Sequence, residues 1–285
     1  MRVFYDRVWL LGRGEQYVTC GARLELYGDD EPAWREFDKR IASAHDYWFH
    51  AYRPRNGDTI VDVGAGIGWD TYVFSRAVGR RGRVLAVEAH PGTYTRLERF
   101  CNWNRLGNVR CRLAAIVDRP QTVVIDDRAA HESNAVGTGD ASHSGDTRCA
   151  GSVAGNGNGH SAGRRGRGLA VPGVTLDALC AEQGLERIDF LKINIEGAER
   201  LALAGMRETL ARTRCVCIAA HDFRAATAGE TMRTRALVIE QLRAAGFDLS
   251  LRETDPRSFV RDHVHGLRRP TFSTCDVGTV AHARE

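Results

Sequence analysis

Hydrophobic positions in this chain follow two rhythms, period two in short runs and period three to four in longer ones. Asn56-Gly57-Asp58 reads as a turn, and Thr59-Ile60-Val61-Asp62-Val63 as a buried strand. A glycine turn follows, then a helix through Val78. A second strand is predicted over residues 83–88, a helix over 93–104 and a third strand over 109–117. The rhythm resumes with a helix over 174–183, a strand over 188–193, a helix over 196–210, a strand over 215–219 and a helix over 231–245. Residues 247–251 and 277–281 read as a closing pair of strands. Strand and helix alternation of this kind predicts an α/β fold with a doubly wound, mostly parallel sheet and right-handed crossovers.

Two stretches lie outside that rhythm. Residues 1–54 carry a short strand at 17–26 and a helix over 31–49, with Trp34, Phe37, Ile41, Ala44 and Trp48 at helical spacing. They are expected to form an N-terminal helical cap packed on a main domain spanning 55–285, with a lid or substrate wall as the other reading. Residues 137–170 are rich in Gly, with Ser, Asn, Asp and Arg. Such a composition cannot bury enough apolar surface to offset its ordering entropy, so a disordered insert is expected there.

Composition narrows the function classes. At 43% hydrophobic and 27% charged, the chain is ordinary for a soluble globular protein. The start has charge too early for a signal peptide, and no stretch suits a membrane span, so a cytoplasmic setting is expected. The net charge of +4 comes from scattered Arg, and Arg164-Arg165-Gly166-Arg167 and Arg268-Arg269 lack the interleaved aromatics of a nucleic-acid platform. Neither a nucleic-acid nor a membrane partner is expected. The eight cysteines form no CxxC, which reads as reduced core thiols rather than a zinc site.

The chemistry concentrates at Asp62-Val63-Gly64-Ala65-Gly66-Ile67-Gly68, between a strand and a helix. Gly64, Gly66 and Gly68 let backbone approach a ligand, and the helix start offers unpaired N–H groups. Glu88, at the end of the next strand, can accept both hydroxyls of an adenosine ribose. Asp62, Ala65 and the glycines complete a nucleoside pocket whose other end is small and charged. That suits S-adenosyl-L-methionine, whose ammonium and sulfonium favour a carboxylate such as Asp62, better than a pyrophosphate-bearing NAD(P).

These residues resemble the FkbM family of S-adenosylmethionine-dependent methyltransferases. The resemblance rests on Gly57-Asp58, the run from Asp62 to Gly68, Glu88, Thr175-Leu176-Asp177, and Lys192-Ile193-Asn194-Ile195-Glu196-Gly197-Ala198-Glu199. It covers about residues 55–250 without the insert. It implies a class I, Rossmann-like methyltransferase that methylates a hydroxyl on a small molecule, a sugar or polyketide-type natural product. Two residues depart from the family pattern: Asn194 stands where Asp is usual, and Ala219 where a glutamate precedes the histidine. A neutral Asn194 neither offsets a metal charge nor serves as a base, so no metal is expected.

Asn194 and Glu196 are assigned to the cofactor, with substrate contact or a helix start open for Glu196; Glu199 leans towards a structural role. Lys192 can hold the cofactor carboxylate or the substrate, or lie on the strand's far side. His221 and Asp222 are the catalytic candidates, His221 as general base with a pKa near its ordinary 6.5. Ser133, Asn134, His263 and His265 are secondary. Two other readings stay open: an NAD(P)-dependent oxidoreductase, and a catalytically silent cofactor-binding protein on the same scaffold.

Overall fold

A computed structural model describes residues 6–8, 16–19, 22–25, 43–44, 46–126, 136–137 and 168–268. Strands β1 (Asp6–Val8), β2 (Gln16–Thr19) and β3 (Ala22–Glu25) pair antiparallel in sequence order. The single strand expected at 17–26 is thus a hairpin. Of the expected helix over 31–49, residues 31–42 and 45 lie outside the described residues, and 43–44 and 46–47 are helical.

The central sheet and its helices begin with β4 (Thr59–Val63), α1 (Trp69–Val78), β5 (Arg83–Glu88), α2 (Pro91–Trp103) and β6 (Val109–Leu113). The chain then switches sheets. Ala114 donates its N–H to the Glu88 carbonyl, and β7 (Ala115–Ile116) joins β8 (Gln121–Asp126), β9 (Val136–Gly137) and β10 (Gly168–Val174) in a separate four-stranded sheet. The third strand expected at 109–117 is therefore two strands in different sheets. Gly168 pairs with Asp126, so residues 168–170, expected to be disordered, belong to a strand; 138–167 lie outside the described residues.

Next come α3 (Leu176–Glu182), β11 (Ile188–Ile193), α4 (Glu199–Ala204), α5 (Arg207–Ala211), β12 (Thr213–Ala219), α6 (Ala225–Ala228), α7 (Arg235–Ala244), β13 (Asp248–Leu251) and β14 (His263–Leu267). The helix expected over 196–210 is broken at Gly205. A Cβ there would meet the Val117 carbonyl oxygen at 2.1 Å, so the backbones touch where a continuous helix would carry a side chain. The closing strand is β14; the one expected at 277–281 lies outside the described residues.

The central sheet has the order β13-β14-β12-β11-β4-β5-β6, parallel except for β14, which runs antiparallel to β12 and β13. This is the doubly wound sheet that the alternation predicts. Side-chain alternation sorts its faces. Val61, Val63, Leu191, Ile193, Val216, Ile218 and Val264 pack on α3, α4, α5 and α7. Ile60, Phe190, Cys215, Cys217 and Ala219 face α1 and residues 44–52. Tyr52 fixes that segment, donating to Asp58 Oδ2 at 2.6 Å. Among the described residues, no helix is long and apolar enough to cross a membrane.

Candidate functional site

Connections leave β4 towards β5 on one side and reach β11 on the other. The strand order therefore reverses between β4 and β11, where ligands of open α/β sheets bind. Gly64, Gly66 and Gly68 all have positive φ, at 74°, 58° and 98°, in the loop leaving β4. A Cβ on Gly64 would lie 1.9 Å from the Asn194 carbonyl oxygen, so only glycine lets the loop rest on the end of β11. At Gly66 nothing lies within 4 Å of such a Cβ, leaving open space over the backbone. Gly68 opens α1 without a side-chain cap.

Glu88 borders that space. Its Oε2 accepts the Gly66 N–H and its Oε1 the His90 N–H, both at 2.9 Å. Burial pushes its pKa up, and the two backbone donors and the Lys192 charge oppose that. Each oxygen keeps a further lone pair for a ribose hydroxyl. Ala65 is buried and donates its N–H to the Val87 carbonyl. Asn194, half-buried, donates its N–H to the Val63 carbonyl and so sits beside Gly64.

Asp62 is fully buried, with Oδ2 accepting from Thr71 Oγ1 at 2.6 Å and Lys192 Nζ 2.9 Å from Oδ1. That ammonium lies off the hydrogen-bonding direction of Oδ1, so charge alone makes the contact. Nζ instead donates to the Gly64 carbonyl at 2.7 Å. Asp62 and Lys192 thus neutralise one another under the loop and set its shape.

The loop after β11 turns sharply, with left-handed φ at both Glu196 (54°) and Gly197 (96°). A non-glycine residue there is strained, a feature that clusters at functional sites. Glu196 reaches His221 Nε2 at 3.4 Å through Oε1 and pairs with Arg224 Nη1 through Oε2. Glu199, fully buried, meets His221 Nδ1 at 2.9 Å and accepts from Thr234 Oγ1 at 3.1 Å. His221 is therefore clasped between two carboxylates. Burial pulls its pKa down, but hydrogen bonds and charge from Glu196 and Glu199 outweigh that and raise it to about 9. The expected neutral general base is thus an imidazolium at neutral pH.

Asp222 is tied to the helix that follows. Its Oδ1 accepts the N–H groups of Thr234 and Arg235 at 2.8 and 2.9 Å, so it caps α7. The Thr175-Leu176-Asp177 motif is also structural. Thr175 caps α3, and Asp177 accepts from the Glu208 and Thr209 N–H groups that open α5. Sequence reasoning missed Arg224 and Thr234 as partners of this cluster, and a local pattern gives no signal for them. Ser133 and Asn134 lie outside the described residues.

The Methyltransferase FkbM domain pattern matches residues 62–249. The chain belongs to the FkbM methyltransferase family. The cofactor is S-adenosylmethionine, which fits the acidic strand end at Glu88 and the open space over Gly66. Over 80 residues the chain is 44% identical to the AMB antimetabolite synthetase AmbE of Pseudomonas aeruginosa, a span of 27% of this chain and 4% of that protein. Among solved structures, the FkbM methyltransferase of Methylobacillus flagellatus KT is 13% identical with a TM-score of 0.47, covering 80% of this chain and 50% of that one. Aeropyrum pernix fibrillarin, solved with natively bound S-adenosyl-L-methionine, is 16% identical with a TM-score of 0.42, covering 93% and 98%.

Proposed function

We propose that this FkbM family member transfers a methyl group to a hydroxyl on a small molecule, a sugar or polyketide-type intermediate in natural-product biosynthesis. The observation that carries this reading is Glu196, a partly exposed carboxylate held in a strained turn at the switch point and anchored by His221 and Arg224. In this reading a hydroxyl hydrogen-bonded to that carboxylate is held at the same carboxyl edge of the sheet as the open space over Gly66. The bound cofactor supplies an electrophilic methyl on a sulfonium. The acceptor oxygen forms the new C–O bond as the C–S bond breaks, S-adenosylhomocysteine leaves, and the hydroxyl proton passes to solvent.

Most of the rate then comes from orientation, which in favourable cases supplies about 7–11 kcal/mol. His221 is a positioning residue in this reading, acting through Glu196. Phe223, 45% exposed beside His221, offers an apolar face to the acceptor. The relation to an antimetabolite synthetase supports a natural-product acceptor. Free cysteines among the described residues accord with a cytoplasmic setting, where thiols stay reduced.

The test incubates the protein with S-adenosylmethionine and a panel of hydroxylated sugars and polyketide-type alcohols, with amino-sugar and amine counterparts of each. Mass spectrometry follows S-adenosylhomocysteine and the methylated product. An O-methyl product is expected with at least one acceptor. Glu196→Gln should lower kcat at least about tenfold with S-adenosylhomocysteine affinity within about threefold. An N-methyl product from amine acceptors, or cofactor binding with no turnover, would overturn the reading.

A further inference from the structure

On the sheet face towards residues 44–52, β-pairing lays polar residues in one row. Asp62 is in register with Lys192, Lys192 with Cys217, Cys217 with His265 and His265 with Ser250. The first two form the ion pair under the glycine loop; the next two have no such role. His263, two residues before His265 on β14, points to the same face and stacks on Trp48 at 4.9 Å between ring centroids. Cys217 and His265 are fully buried and His263 is 4% exposed. Cys217 Sγ lies 3.9 Å from His265 Nε2, and one ligand atom from each of the three residues falls within 4.8 Å of the others.

Nδ1 of both histidines is buried with no hydrogen-bond partner. Leaving a polar atom so costs about 1–3 kcal/mol, although His265 faces Cys217 through Nε2 and not through that atom. We infer that Cys217, His263 and His265 form a buried site for a single zinc-class divalent ion, binding Zn²⁺ through one thiolate and two imidazoles.

The donor chemistry selects the metal. One sulfur, two imidazole nitrogens and no carboxylate suit Zn²⁺ or Co²⁺ and exclude Mg²⁺ or Ca²⁺, which take oxygen. Tetrahedral Zn–S and Zn–N bonds of about 2.3 and 2.0 Å set ligand atoms roughly 3.3–3.6 Å apart. Cys217 Sγ and His265 Nε2 are nearly at that spacing at 3.9 Å, while the widest pair, at up to 4.8 Å, must close by about 1.5 Å on binding. Burial, with lesser help from neighbouring cationic groups, lowers the histidine pKa values to about 4 and about 3, leaving both rings neutral and able to ligate at neutral pH. Burial pushes the Cys217 thiol up. Metal entry therefore exchanges the S–H bond for an S–metal bond and releases one proton to solvent. The neighbouring Lys192 charge is matched by Asp62. His50 supplies a further imidazole close by, its ring 5.0 Å from that of His265. A bound ion would clamp β14 to β12 independently of any methyl transfer.

Spacing along the chain hides this site, because Cys217 stands 48 residues from His265 and only strand pairing joins them.

The test uses the full chain stripped with EDTA and titrated with CoCl₂, with no methyl donor present. One equivalent of Co²⁺ should develop thiolate-to-cobalt charge-transfer absorption and tetrahedral d–d bands, which ZnCl₂ then abolishes. Cys217→Ser and His265→Gln should each weaken Co²⁺ binding more than about 100-fold, while Cys111→Ser, in a separate cluster, leaves it unchanged. If a variant fails to fold, alkylation of the parent protein decides: ZnCl₂ should protect Cys217 from iodoacetamide in partial denaturant, read by peptide mass spectrometry. A cobalt spectrum that survives Cys217→Ser, no spectrum in the parent, or Cys217 alkylated equally with and without Zn²⁺ would overturn the assignment.

Discussion

Charging of His221 gives stability a pH signature that can be worked from the structure. Its pKa lies at about 9 in the folded chain, with Glu196 and Glu199 on either side, against an ordinary 6.5. A difference of about 2.5 units at 1.36 kcal/mol each amounts to about 3 kcal/mol. The folded value is the higher one, so this stability is fully present below pH 6.5 and is lost as pH rises through about 9. The perturbation is His221→Asn, with urea unfolding of both proteins from pH 7 to 10 in EDTA. Subtracting the variant's curve removes the titration of cysteines and other groups common to both. The parent's advantage should shrink by about 2.5 kcal/mol over that range, with a steepest slope near 1.4 kcal/mol per pH unit. A flat difference curve would refute the carboxylate clasp, and so would an NMR titration placing the His221 ring near 6.5.

The other predictions concern the loop that holds the cofactor. Glu88→Ala should weaken S-adenosylhomocysteine binding by about 1.5–3 kcal/mol in calorimetry, because a charged acceptor next to Gly66 is lost; unchanged affinity would remove Glu88 from the ribose site. Lys192→Met leaves Asp62 buried without its counter-charge and should destabilise the fold by about 3–5 kcal/mol in urea unfolding. Adding Asp62→Asn should restore most of that loss, and a double variant no more stable than Lys192→Met would show that the lysine does not act through Asp62.

The sequence by itself determined the order of the elements and the place of the cofactor loop. Both are local. Val61-Asp62-Val63 can be read as a strand from side-chain type, and the glycines after it as a turn, with no knowledge of distant residues. Glu88 was legible for the same reason, as the acid that ends the next strand. Single residues within such motifs were legible in position but not in role. Asp62 looks like a ligand carboxylate until strand pairing sets Lys192 beside it, 130 positions on. Asp222 looks catalytic until α7 brings the Thr234 and Arg235 N–H groups onto it.

His221 is the sharpest case, since its charge is set by Glu196 and Glu199, from the loop after β11 and the start of α4, and by burial. The break at Gly205 follows from contact with Val117, which helix propensity does not contain. Cys217, His263 and His265 carry no spacing signal, and antiparallel pairing of β12 with β14 alone makes them neighbours. Sequence pattern thus fixes what depends on a residue and its near neighbours along the chain. Protonation, ion pairing and metal ligation depend on which groups share a few ångströms of low-dielectric space, and only the tertiary fold decides that.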